Sequence, residues 1–252
     1  MEDFFSPADR TLLEPHGLAS FDALWNLNLA RVDDPNIDRG GVSEVFRLDL
    51  DGQGYYLKRQ CKHLTRSFAH PCGEPTFARE FRNVRHLHAH GVPTMDIAFF
   101  AQRRLPGKGS CAILLTRELS GWQSMAHWLG EWDTLSGAVR ERMLTACGEV
   151  IRRLHAAKLI HCCLYPEHVF VHAAGEGCEA ALIDLEKARH VWLGRNDYCR
   201  DVEQFLRRSP VLSSDDAGIV LAAYLGGAPE GATVADWRRR LAKRREHKNN
   251  DS

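Results

Sequence analysis

Residues 159–189, LIHCCLYPEHVFVHAAGEGCEAALIDLEKAR, decide the fold. Leu159 and Ile160 read as a short buried β-bridge, followed by a polar loop carrying His161, Cys163, Glu167 and His168. Val169, Phe170 and Val171 then form a strand, Gly175 and Gly177 supply a reversal, and Ala180 to Ile183 return as a second apolar strand. That strand delivers Asp184 at its C-terminal end. A carboxylate just past a buried strand suits a metal or phosphate ligand, because the strand end is rigid and its side chain faces a cleft.

Toward the N terminus, Asp51-Gly52-Gln53-Gly54 is a strong hairpin signal, with Tyr55 to Lys58 as the strand after it. Lys58, near the end of that strand, reads on its own as a solvated edge charge. The segment Asp38 to Leu48, with Gly40, Gly41 and Ser43, reads as a glycine-containing turn between strands. Its backbone N–H groups can approach a phosphate, and an ordinary hairpin fits equally well. Thr76 is placed to cap a helix whose apolar face is Phe77, Phe81, Val84 and Leu87, with Glu80 one turn in. Gly91 to Thr94 ends that helix. Ile97–Phe100 and Ala112–Leu115 read as strands, with Arg103 to Gly109 as the loop between them, and Leu12 to Ala30 holds a short leading helix.

Toward the C terminus, Met125 to Leu129 starts a helix. Val139 to His155 forms a longer one with Met143, Leu144, Cys147, Val150, Ile151 and Leu154 on one face. His155 at its end reads as a structural residue capping orphan carbonyls. Tyr198 to Leu206 opens another helix, in which Asp201 reads as a carboxylate favoured by the helix dipole. Ile219 to Leu225 is a core helix ended by Gly226-Gly227.

Composition narrows the function classes. Lys plus Arg equals Asp plus Glu at 33 each over 252 residues, so no nucleic-acid partner is implied. Only Trp237 to Ser252 is distinctly basic, with seven Lys/Arg against two Asp/Glu. The acidic start MEDFFSPADR is not a signal peptide, and no apolar run reaches the 18 or more residues of a membrane span, which points to the cytoplasm. The eight cysteines are then expected to remain thiols. Cys61, His63, His70 and Cys72 invite a zinc reading, but their spacing lacks the paired-cysteine knuckle of structural zinc sites.

The layout resembles the catalytic core of the protein-kinase-like fold, and more narrowly the lipopolysaccharide core heptose and Kdo kinases with their InaA-like branch. His161-Cys162-Cys163 is similar to the His-Arg-Asp catalytic loop, and Asp184-Leu185-Glu186 to Asp-Phe-Gly. His168 stands five residues after Cys163, where kinases usually carry the metal-binding Asn. The segment Arg66 to Asn83 is similar to the loop and helix entry of the lipopolysaccharide kinases. The resemblance spans Asp38 to Leu206.

This resemblance implies an α+β, two-lobed protein-kinase-like fold with a small antiparallel-sheet N-lobe and a mainly helical C-lobe. Residues 1–117 would be the N-lobe, 118–232 the C-lobe and 233–252 a basic polar tail. It implies ATP as donor, a sugar hydroxyl of the lipopolysaccharide core saccharide as acceptor, and Mg²⁺ held by Asp184 and His168, with Glu167 able to supply a further oxygen. Lys58 would hold phosphates and pair with Glu80, while Gly40, Gly41 and Ser43 would cover the nucleotide. Thr116 to Gly121, with Glu118 at its centre, would read adenine through its backbone. Asp201 would receive catalytic-loop N–H groups. Cys163 stands where the proton-accepting Asp is expected, and a protonated thiol is a poor acceptor. The alternatives are therefore a nucleotide-binding pseudokinase and, ranked last, a thiol enzyme using Cys163 beside His161 or His168. The basic tail, through Trp237 to Arg245, would give a peripheral contact with the inner membrane.

Overall fold

The computed structural model describes residues 3–38, 40–66, 70–191, 195–227 and 233–241. Arg39, residues 67–69 of the Arg66–Asn83 segment and the basic residues from 242 onward lie outside them. The chain divides into two compact units. One comprises Met1–Arg85, Met95–Ser120 and Leu185–Lys187; the other comprises His86–Thr94, Gly121–Asp184 and Ala188–Ser252.

The first unit is built on a six-stranded antiparallel sheet. Its spatial order is Phe4–Phe5, Ile97–Leu105, Gly109–Arg117, Gln53–Cys61, Gly41–Leu50 and Asn36–Asp38. Asp51 and Gly52 turn the central hairpin at φ 53° and 82°. That left-handed backbone matches the twist of the flanking strands, and Asp and Gly tolerate it. Strand alternation then sorts the side chains onto two faces. Tyr55 and Leu57 join a core with Phe46, Leu48, Ile113 and Leu115, closed by Leu13, Phe21 and Leu24 from the helices Pro7–Leu13 and Phe21–Asn26. Each such buried side chain contributes about 1.5–3 kcal/mol. Lys58, one position out of step, takes the opposite face with the helix Thr76–Ala89, whose Phe81 stacks on Phe100 at 4.3 Å between centroids.

Several expectations for this unit need correction. Cys61 and Cys111 are disulfide-bonded rather than thiols, because the antiparallel register sets them directly opposite each other. Their separation of 50 residues concealed that pairing. Thr76 does not cap its own helix: its hydroxyl donates to Gln60 Oε1 at 2.7 Å, and the same oxygen accepts from Phe77 N at 3.1 Å. The strands run through most of the supposed Arg103–Gly109 loop, leaving only 106–108 outside them. The leading helix expected within Leu12–Ala30 is Phe21–Asn26; an unforeseen helix, Pro7–Leu13, precedes it, and Phe4–Phe5 adds an unforeseen edge strand, with Asp3 taking a two-pronged hydrogen bond from Arg103 at 2.6 and 2.7 Å.

The spine of the second unit is the helix Gly137–Ala156, whose apolar face of Met143, Leu144, Cys147, Val150, Ile151 and Leu154 is buried. The helix Ser214–Leu225 crosses it so closely that a side chain at Gly148 would collide with the Val220 carbonyl. Ser213 and Asp216 form a reciprocal cap at the start of that crossing helix, and Gly226 at φ 68° ends it. A hairpin of Val169–Ala174 and Gly177–Leu182 is flanked by Gln123–Ser124, while Leu159–Ile160 pairs with Arg189–His190. Residues 233–241 form a further helix with Val234 and Leu241 buried, so this part of the expected tail belongs to the fold. Among the described residues no helix is long and apolar enough to cross a membrane.

Candidate active site

In the first unit, Lys58 Nζ donates to Glu80 Oε1 at 2.7 Å. The Glu80 side chain is wholly buried and that of Lys58 is 16% exposed. Breaking such a pair by removing one partner strands a charge in low dielectric, which costs roughly 3–5 kcal/mol. Two contacts position the helix that carries Glu80. Gln60 lies on the same face as Lys58, two residues along the strand, and its Oε1 satisfies the helix N-terminus through Thr76 and Phe77. Asn83 Nδ2, one turn after Glu80, donates to Leu185 O at 2.8 Å. Neither Gln60 nor Asn83 stood out in the sequence. For Gln60 the available signal was its i+2 spacing from Lys58.

The other residues expected near a nucleotide are placed as follows. Gly40 sits at φ 74° in the turn, and Ser43 lies opposite Gln60 in the sheet. A side chain at Gly41 would collide with the main chain at His63, so packing within the unit already explains that glycine. Glu118 accepts the Arg47 guanidinium at 2.8 and 3.3 Å. Its N–H donates to Gly54 O, and its carbonyl accepts from Ser120 N. The Glu118 N–H is therefore committed within the unit, while its carbonyl keeps a second lone pair.

In the second unit, Asp201 holds the loop after Ile160. Its Oδ2 accepts from His161 N at 2.6 Å and its Oδ1 from Cys162 N at 3.0 Å. Cys162 adopts φ 68°, a backbone conformation rare outside glycine that persists only where its surroundings hold it. His161 is fully buried, and burial pushes its pKa down, which keeps the ring neutral. Its Nε2 donates to Ile183 O at 2.9 Å, so through that nitrogen the ring holds the backbone. Ile183 N in turn donates to His168 O at 3.0 Å. Clamped at both of its main-chain groups, Ile183 delivers Asp184, itself at φ 56°.

The His168 ring makes the most informative contact. Its Nδ1 donates to Cys163 O at 2.8 Å, which fixes the proton of a neutral ring on Nδ1. Nε2 then presents a lone pair toward Asp184 Oδ2, 3.4 Å away. Asp184 and His168 would offer a cation one hard oxygen and one imidazole nitrogen, and among the described residues no group of three or more His, Cys, Asp or Glu side chains stands together to hold a metal ion. Glu167 is exposed on the turn Pro166–His168, outside this contact. Cys163 is partly buried, and its carbonyl rather than its thiol carries the described bonds, accepting from Tyr165 N and His168 Nδ1.

A family profile described as the lipopolysaccharide kinase (Kdo/WaaP) family matches residues 22–239. Protein InaA of Escherichia coli (strain K12) is 32% identical over 171 residues, 67% of this chain and 78% of that protein. The lipopolysaccharide core heptose(I) kinase WaaP of the same organism is 26% identical over 157 residues, 58% of this chain and 59% of that protein. The solved structure of WaaP in complex with acyl carrier protein matches with a TM-score of 0.70 over 96% of this chain and 99% of that one. At 19% identity this is a likeness of fold.

Proposed function

The chain belongs to the lipopolysaccharide kinase (Kdo/WaaP) family and has its protein-kinase-like fold, and we propose that it transfers the γ-phosphoryl group of ATP to a sugar hydroxyl of the lipopolysaccharide core saccharide. The observation that carries the reading is the buried Lys58–Glu80 pair, which holds an ammonium group ready for phosphate oxygens. His168 Nε2 and Asp184 would hold a divalent cation, whose chemistry is to neutralise charge on the phosphates. Asp201, acting through the His161 and Cys162 amides, keeps the acceptor loop in its left-handed turn. In the transfer the sugar oxygen bonds to the γ-phosphorus as the bond to ADP breaks, and the hydroxyl proton leaves to water or Glu167. Positioning and charge neutralisation dominate such transfers, so a weakened base slows the reaction by up to roughly 10²–10⁴-fold without removing the remainder.

Cys163 supports a second reading, a nucleotide-binding pseudokinase. Both readings require MgATP to raise the melting temperature. No shift in the wild type, or an equal shift in Lys58→Ala and Asp184→Ala, defeats both. Cys163→Asp separates them. A kinase limited by its base gains transfer to a core-saccharide acceptor, whereas a pseudokinase binds MgATP and transfers none. As a partner, the acyl carrier protein seen with WaaP is to be tested by co-purification with this chain. In a peripheral contact with an anionic membrane, the exposed Arg239 and Arg240 and the basic residues beyond them would carry the attraction, since Trp237 packs against Tyr224.

A further inference from the structure

The helix 233–241 is tied to the loop after Ile160 by an unbroken line of side chains within the second unit. Trp237 sets its ring edge-on to Tyr224, with centroids 5.1 Å apart, and the Arg238 guanidinium occupies the place a side chain on Gly218 would take. The Tyr224 hydroxyl lies 2.9 Å from His155 Nδ1. Burial pushes the Tyr224 pKa up, so the phenol remains an O–H donor. With Nδ1 accepting, a neutral His155 carries its proton on Nε2, and Nε2 faces Asp201 Oδ2 at 3.4 Å. Tyr198 packs on the same imidazole at 4.5 Å between centroids. Asp201 then spends its two oxygens on the His161 and Cys162 amides.

We infer that helix 233–241 is a positioning element for the loop bearing Cys162 and Cys163, acting through Trp237, Tyr224 and His155 on the orientation of the Asp201 carboxylate. The controlled property is the orientation of the His155 ring. While Tyr224 donates to Nδ1, the Nε2–H points at Asp201 and fixes the rotation of its carboxylate. If the hydroxyl is lost or displaced, Asp201 still favours the proton on Nε2, but Nδ1 loses its anchor and the ring is free to turn. The Nε2–H then swings away from Oδ2. The carboxylate turns, its two amide bonds lose alignment together, and the left-handed turn at Cys162 loses what holds it. Trp237 acts one step earlier, by closing the ring face that keeps Tyr224 in place. This coupling is a property of the loop geometry and holds whichever reaction the loop supports.

The test is amide hydrogen exchange on the full chain, following His161 and Cys162, with amides inside Gly137–Ala156 as the reference. Tyr224→Phe keeps the ring and removes only the donor. Exchange at the two loop amides should rise about fivefold or more in Tyr224→Phe and in Trp237→Ala, with the reference helix unchanged. Trp237→Phe, which restores an aromatic edge, should return the wild-type rates. A nitrogen-15 histidine spectrum should show His155 as the Nε2–H tautomer, with the Nε2–H proton at its hydrogen-bonded position in the wild type and shifted away from it in Tyr224→Phe. Wild-type exchange at both amides in Tyr224→Phe and Trp237→Ala would overturn the inference, as would an unmoved Nε2–H signal. A rise shared equally by the reference helix would also overturn it, because Trp237 would then be only a general stabiliser.

Discussion

The Lys58–Glu80 pair and the Asp201-held loop solve the same problem, fixing a polar group in place, in opposite ways. The first rests on a contact between two charged side chains, one of them wholly buried, so each depends on the charge of the other. The second holds main-chain atoms: a carboxylate grips two amides, and the loop keeps its shape whatever side chain stands at position 163. A fold that stores a site in backbone geometry can change the reacting side chain and leave the scaffold intact. One that stores it in an ion pair cannot.

The largest effect should follow from breaking the ion pair. Lys58→Ala removes the cation 2.7 Å from the wholly buried Glu80 and should lower unfolding free energy by roughly 3–5 kcal/mol in urea titration. A loss below about 1 kcal/mol would place that pair with surface salt bridges and erase the contrast. Asp201→Asn keeps one acceptor oxygen and loses the other, so the expected cost is about 1.5–3 kcal/mol. Calorimetry showing no change would mean that the loop holds itself.

His161 adds a pH dependence. Its folded pKa lies below the ordinary 6.5, so below pH 6.5 the unfolded chain binds the extra proton, and stability falls as the pH drops through that value. The slope from this one group is at most about 1.4 kcal/mol per pH unit. A pH series of melting temperatures comparing wild type with His161→Asn should show that component vanish in the variant. The smallest effect is expected at Cys163, where only the carbonyl enters the described bonds. Cys163→Asp should shift stability by no more than about 0.5 kcal/mol. A much larger loss would show that the thiol is part of the scaffold after all.

How far the sequence disclosed this structure depends on the range of each signal. The Asp51-Gly52 hairpin and the buried face of Gly137–Ala156 follow local patterns of period two or 3.6, and both were legible. The pairing of Lys58 with Glu80 and the hold of Asp201 on the loop required a resemblance to bring distant residues together. The Cys61–Cys111 bridge, the N-terminal cap supplied by Gln60 and the partners of His155 depend on register and packing between remote segments, which no local pattern encodes. His155 was read as a cap for carbonyls and instead bonds Tyr224 and faces Asp201, because the end of its helix is buried rather than solvated.

The two-residue strand Phe4–Phe5 has a consequence for synthesis. Phe4 pairs with Phe100 and Phe5 with Phe99, so the edge of the sheet cannot close until the strand Ile97–Leu105 has been made. Loop closure over such a span is entropically expensive and belongs late in folding. At translation rates of about 5–20 residues per second, these aromatic residues wait on the order of 5–20 s for their partners. During that interval the nascent chain presents two adjacent phenylalanines, a handle for chaperones and a point of association between neighbouring chains.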